Sequence, residues 1–207
     1  DTSGQFNPQS IIADGNPVLI QSPSRQLAIK GQRVSIDLDE LKFSIKDAVE
    51  STITFENFSI KVPKLEYTFA DDFSRIGTYK AEGPGELRLA ASPNKPAQSE
   101  LFVQWQANST LTVNDQQEKV LALNKDARIQ ISETESVSSD RLHVWLEEIE
   151  VPSADSKEAE FELTPYKMVA TGHVEIDLPE LHAKAHQTRT WISREPTTTA
   201  SPPSTKP

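Results

Sequence analysis

The chain contains no cysteine, which excludes a disulfide framework, a thiolate nucleophile and a zinc–thiolate site together. It also has no apolar run approaching the roughly 20 residues that a membrane-spanning helix needs. Glycine is scarce, seven in 207 residues, and no glycine-rich loop of the phosphate-cradling kind is present. Basic residues form no dense cluster: 21 Lys and Arg stand against 31 Asp and Glu, a formal net charge of −10. Binding to a nucleic-acid backbone depends on neutralising phosphates, so nucleic acid is set aside as a partner. With 36% hydrophobic residues and only 7% aromatics, a thick, multilayered core is not expected.

What the chain does have is proline, fourteen in all, and short segments with an apolar residue at every second position. Val34, Ile36 and Leu38; Phe58, Ile60 and Val62; Leu101, Val103 and Trp105; Leu142, Val144 and Leu146; and Val174, Ile176 and Leu178 all follow this rule. A period of two puts one set of side chains on a buried face and the next in water, the signature of a half-buried strand. The one competing helical pattern is "DLDELKFSIKDAVES", where Leu38, Leu41, Ile45, Ala48 and Val49 fall at helical spacing, but Leu41, Phe43 and Ile45 alternate equally well. It is read as a strand. The fold class expected is therefore all-β, with roughly ten or more antiparallel strands in two facing sheets.

Residues 1–10 and 193–207, the latter reading "SREPTTTASPPSTKP", are too poor in apolar residues to offset the entropy of ordering. They are expected to be a disordered tail and a Pro/Thr/Ser-rich linker flanking one domain over 11–192. The start "DTSGQF", without Met or a signal-like apolar segment, suggests a mature form or an excised fragment.

A degenerate repeat runs through the domain. Small or acidic starts recur near Ala13, Asp47, Ala81, Asp126 and Ala170, about 34 to 45 residues apart, each expected to open a strand that is followed by a second after a turn. Three of them read "ADG", "AEG" and "ATG", with glycine expected where a turn or bulge needs positive φ or a close backbone approach. Hairpins repeated in this way bury a continuous apolar face only when laid side by side.

The last copy, "ATGHVEIDLPELHAKAHQ", with Ala170, Gly172, Val174, Ile176, Leu181, Ala183 and Ala185, resembles the repeat of the OstA-like, lipopolysaccharide-transport periplasmic domains of the LptA/LptC type. The likeness extends loosely over residues 12–192. The steps here are longer and less regular, "SPNKPA" is inserted in the middle copy, and Pro17 breaks the alternation of the first. The resemblance implies an elongated, open two-sheet antiparallel jelly roll, a β-taco, in a periplasmic or otherwise extracytoplasmic protein of the cell envelope. It further implies a non-catalytic module without cofactors that holds the acyl chains of a lipid or lipopolysaccharide-like amphiphile and stacks edge to edge with copies or related envelope proteins. Taken with the alternation, it places an apolar groove along Leu87, Leu89, Leu101, Val103, Trp105, Ile129, Ile131, Val174 and Ile176. The competing reading is a structural or adhesive β module that closes its own core and binds carbohydrate or protein through its outer face and Trp145, which is out of register with its apolar neighbours.

Catalytic patterns are weak. Ser and Asp are frequent, but no nucleophile elbow brings them together. The carboxylates Glu147, Glu148, Glu150, Asp71 and Asp72 stand in acidic runs that read as solvated edges. His173, His182 and His186 read as exposed strand residues rather than as metal ligands. The sequons at Asn57 and Asn108 matter only in a eukaryotic secretory setting. At the C-terminal end, residues 180–192 contain no proline, whereas Pro17 and Pro23 blunt the first strand, so His182, Lys184, His186 and Arg189 are expected on an edge available for assembly.

Overall fold

The computed structural model describes residues 9–23, 27–55, 58–70, 77–89, 101–132, 134–151 and 160–192. These form strands β1 (Ser10–Ser22), β2 (Leu27–Asp37), β3 (Lys42–Phe55), β4 (Phe58–Thr68), β5 (Thr78–Glu82), β6 (Gly85–Leu89), β7 (Leu101–Trp105), β8 (Asn108–Val113), β9 (Lys119–Gln130), β10 (Ser136–Val151), β11 (Glu160–Leu178) and β12 (Leu181–Trp191). The protein is all-β, with every pairing antiparallel and no α-helix among the described residues. The ambiguous segment at 37–51 resolves as turn and strand. Asp37 Oδ1 accepts the backbone N–H groups of Asp39 and Glu40 at 3.0 and 2.8 Å, and Leu41 takes φ 51°. An acceptor side chain that bends the backbone here ends any helix before it can nucleate. Ser10, assigned to a tail from the sequence, belongs to β1; residues 1–8 and 193–207 lie outside the described residues.

The two facing sheets expected from the alternation are one continuous sheet, ordered β1-β2-β3-β4-β5-β8-β9-β10-β11-β12, with β6 and β7 bridging β4 to β9 a second time. The pairings β4-β5-β8-β9-β7-β6 close a six-strand antiparallel barrel, and β1–β3 and β10–β12 extend it on either side. Nothing else among the described residues stands against the apolar face, yet Trp105, Leu123, Leu142 and Ala170 are fully buried. The sheet therefore packs on itself.

The register explains how. Pairing breaks between Asp14 and Val18 in β1, Lys30 and Arg33 in β2, Lys46 and Ser51 in β3, Ser139 and Arg141 in β10, and Thr171 and Val174 in β11. In β4, residues 58–61 pair with β6 and 64–68 with β5; Gly83 and Pro84 separate β5 from β6, and Gln106 and Ala107 separate β7 from β8. These breaks adjoin one another from strand to strand, so they form a single line of corners. Extra residues at a corner bend the strand and sharpen its twist. They also reset which residues point inward: Leu27, Ile29 and Gly31 before the break in β2, Val34 and Ile36 after it.

All five repeat starts lie on this line: Ala13 in β1, Asp47 in β3, Ala81 just before the β5–β6 corner, Asp126 in β9 and Ala170 in β11. They do not open strands, as the sequence suggested; they mark where strands already running must bend. Lys125, Asp126 and His173 take positive φ there, as do Gly83 and Gly172. A bend also frees backbone carbonyls that burial would leave unpaired. Buried Ser51 donates to Pro63 O at 3.3 Å and buried Ser139 to Arg141 O at 2.8 Å. Trp105 fills the central corner with 0% exposure, its Nε1–H donating to Gly83 O at 3.0 Å.

Gly172 is the corner with least tolerance. Its φ is +75°, and a Cβ there would lie 2.2 Å from Asp140 Oδ2, a carboxylate held at 2.9 Å from His173 Nδ1. Gly172→Val is expected to destabilise the protein by about 1–3 kcal/mol through the left-handed backbone alone, and more through the displaced carboxylate. Urea unfolding monitored by circular dichroism checks this, and a midpoint equal to the parent's would show that the corner does not need glycine.

Candidate functional site

The inner face of the folded sheet is one apolar interior. Val18, Ile29, Val34, Ile45, Ile60, Val62, Leu87, Val103, Trp105, Leu123, Leu142, Val144, Val174 and Ile176 are buried in it, each stabilising the fold by roughly 1.5–3 kcal/mol or more through removal from water. Of the nine residues assigned from sequence to a groove, Leu87, Val103, Trp105, Val174 and Ile176 are buried, and Leu101 and Ile129 are half-buried against them. Ile131 is a correction: it is 40% exposed in the turn after β9, where Ile131 N–H donates to Glu135 O and the strand has ended. Leu89 is on β6, opposite Phe58 and Leu101, with its side chain outside the described residues.

The interior is not uniform along the sheet. At the last strand the inward positions become small: Ala183 stands opposite Ile176, Ala185 opposite Val174, Thr188 opposite Ala170 and Thr190 opposite Met168. Ala185 is exposed and Ala183 half-buried, and Leu181 at the start of β12 is exposed. The β11 side chains that these small residues face are nonetheless buried, with Met168, Ala170, Val174 and Ile176 at 9%, 0%, 1% and 8% exposure. What the short side chains leave in water is the apolar surface of β12 itself, at Leu181 and Ala185. A hollow of about 350 Å³ between β11 and β12 is lined by His173, Val174, Glu175, Lys184 and Ala185, of which His173, Glu175 and Lys184 are exposed on the outer face. Thr188 Oγ1, on the inner side, is buried without a hydrogen-bond partner among the described residues.

The four residues assigned to the C-terminal edge, His182, Lys184, His186 and Arg189, are all exposed on β12, which among the described residues pairs only with β11. His182 Nδ1 lies 3.0 Å from Asp177 Oδ1, and Lys184 Nζ donates to Glu175 Oε1 at 2.6 Å. His173 is paired with Asp140, which raises its pKa above the ordinary imidazole value, first through the hydrogen bond and then through the carboxylate's charge. No group of three or more metal-ligating side chains is present among the described residues. Asp71, Asp72 and Asn57 lie outside those residues; Glu147 is exposed, and Glu148 is tied to Lys119.

Sequence reasoning did not anticipate the polar end of the interior. On the arm formed by the first half of β9 and the second half of β10, inward positions turn polar at Lys119 and Glu148, whose ion pair is only 13% and 19% exposed. Tyr166 donates to Glu118 Oε1, and Asn114 donates to Glu118 Oε2 at 2.8 Å. Lys119, Leu121 and Leu123 share one strand face, so this lysine was legible only as the end of an alternating run. The pairing holds the Glu118 carboxyl below the usual range, first through Tyr166 and then Asn114, and pushes Tyr166 up to about 12. Deeper inside, burial raises Tyr79 to about 12, its hydroxyl 2.9 Å from Ser109 Oγ.

A carboxyl with a depressed folded-state pKa stabilises the fold above its ordinary range near pH 4.3 and loses that contribution as pH falls through the folded value. Tyr166→Phe is therefore expected to lower the melting temperature at neutral pH, with the difference from the parent shrinking as pH falls below about 4. Paired thermal melts across that range check it; a difference independent of pH would assign the loss to packing instead. Comparison of the chain with protein-family models, with curated proteins and with solved structures found no match in any of the three.

Proposed function

We propose that this protein is a non-catalytic lipid-binding module of the cell envelope, related to the OstA-like lipopolysaccharide-transport domains, which takes acyl chains of an amphiphile at the β12 edge of its interior, where Leu181 and Ala185 are exposed. The observation that carries this reading is the run of small inward residues, Ala183, Ala185, Thr188 and Thr190, facing Ile176, Val174, Ala170 and Met168. An acyl chain laid there covers apolar area at about 25 cal/mol per Å² and needs no reacting group. The OstA-like kinship is supported by the folded, sequential order of strands and by repeat positions that coincide with the corners. In that kinship the finer architecture is an open two-sheet taco, with the barrel pairings as its central bend.

The same edge suits assembly. Among the described residues β12 has one paired side, and no proline stands between Leu181 and Trp191, so its outer backbone groups suit pairing with another strand, from a second copy or a related envelope protein. Such pairing would extend the apolar interior from one molecule to the next.

Titration with a fluorescent fatty acid is expected to saturate at micromolar concentration, and lipid is expected to co-purify and appear by mass spectrometry. Ala183→Trp, which fills the mouth without touching the corners, is expected to weaken probe binding at least about tenfold. Absence of both bound lipid and probe binding would sink the proposal. For the edge, sedimentation across a wide concentration range is expected to show association that Ala185→Pro removes by deleting a backbone donor.

A further inference from the structure

We propose a second site, on the opposite face of the sheet from the interior, that binds an anionic saccharide: Trp191 is its stacking platform, and Lys167 and Arg189 hold the acidic substituent. The register aligns these residues across three strands. Trp145 of β10 is opposite Lys167 of β11, which is opposite Trp191 of β12, and in the adjoining row His143, Val169 and Arg189 stand side by side. All point outward, since Val144, Met168 and Ala170 between them are buried. Together Trp145, Lys167, Val169, Arg189 and Trp191 line a shallow hollow of about 420 Å³.

Each part has a defined state. Trp191 is 70% exposed, an indole face left in water on a terminal strand. Lys167 Nζ is braced 4.1 Å from the centre of the Trp145 ring, a cation–π contact. Trp145 and Trp191 are two strands apart, about 10 Å, so a ring stacked on Trp191 brings its substituents to Lys167. Arg189, two residues before Trp191 on the same face, offers a planar fork of donors to a carboxylate or phosphate.

The charges of the two arms differ in a way that points to an anion. Beyond the corner, the outward cations near β11 and β12 are matched with acids: Lys184 with Glu175, His182 with Asp177 and His173 with Asp140. On the Trp191 arm, residues 163–171 and 187–191 contain no Asp or Glu, and neither Lys167 nor Arg189 has a carboxylate in ion-pair contact among the described residues. Lys167 lies within electrostatic reach of Glu118, and exposed Glu147 is two residues from Trp145 on β10, but neither carboxylate is in ion-pair contact with it among the described residues. Two cations without a direct ion pair beside an exposed indole select a small anionic ligand with a flat apolar face. A sugar acid or sugar phosphate has both features. An anionic bilayer would meet the repulsion of the whole molecule.

The test is calorimetric and fluorescence titration of the full chain with tri-galacturonate and hyaluronan hexasaccharide, against neutral maltotriose. Saturable binding of at least one anionic oligosaccharide is expected at or below about 1 mM, with maltotriose at least roughly tenfold weaker. Trp191→Ala and Lys167→Met are each expected to weaken the anionic ligand at least about tenfold while the circular dichroism spectrum is retained. Lys167→Met should also abolish the preference over maltotriose. The proposal is overturned if neither anionic oligosaccharide binds up to roughly 10 mM, if the variants bind as the parent does, or if these residues instead mediate retention on phosphatidylglycerol vesicles. Because this face is separate from the interior, the result is independent of whether acyl probes bind.

Discussion

A sheet with no second layer among the described residues to lie against must cover its own apolar face, and the line of corners is what allows it. Each corner is locally unfavourable. Lys125, Asp126 and His173 adopt left-handed backbone that costs non-glycine residues of the order of 1 kcal/mol or more, and the ladder loses hydrogen bonds wherever pairing breaks. The gain is collective, because every strand bent at the same level turns its apolar residues toward those of the strands across from it. Ser51 and Ser139 show how the local loss is limited: their hydroxyls take up carbonyls of the corner region, which is why polar residues interrupt otherwise apolar inward runs. Trp105 joins both parts of the arrangement, with its ring filling the bend and its Nε1–H satisfying Gly83 O.

Once the sheet is folded, side-chain size decides where it closes. Trp105, Leu123 and Leu142 fill the centre, whereas Ala183 and Ala185 cannot do the same at β12. The other end differs: β1 brings Val18 and Ile20 inward, and Val18 is buried. The two edges of the sheet differ in side-chain size: β1 carries large apolar residues, of which Ile11, Ile12 and Leu19 are 45%, 60% and 63% exposed, whereas β12 carries Ala and Thr at its inward positions. The corner also divides the outer face electrostatically, leaving matched ion pairs on one arm of β11 and β12 and unmatched cations with tryptophan on the other. These two asymmetries, inside and outside, converge on the same C-terminal strand, and they are the basis for placing both proposed sites there.

Much of this was legible from residue order. Alternation of Val34 with Ile36, of Leu101 with Val103 and Trp105, and of Val174 with Ile176 specified strands and the face each buries, because strand periodicity is a property of the backbone alone. The recurrence of Ala13, Asp47, Ala81, Asp126 and Ala170 was visible too, and the scarcity of glycine made the copies of "A-x-G" conspicuous. Their role was not. A residue of left-handed backbone serves a strand end, a turn or a mid-strand bend equally well, and the choice depends on what the neighbouring strand does at the same level. Ile131 was misplaced for a related reason: it continues the parity of Ile129, but the strand stops before it. By itself, then, the sequence determined that this protein is built of antiparallel strands with one apolar face. Only the tertiary structure decided that the face is covered by a single sheet bent along aligned corners, that small side chains end it at β12, and that Trp145, Lys167, Arg189 and Trp191 meet. Register between strands far apart in the chain sets all three, and it is encoded in pairwise fit, not in any local pattern.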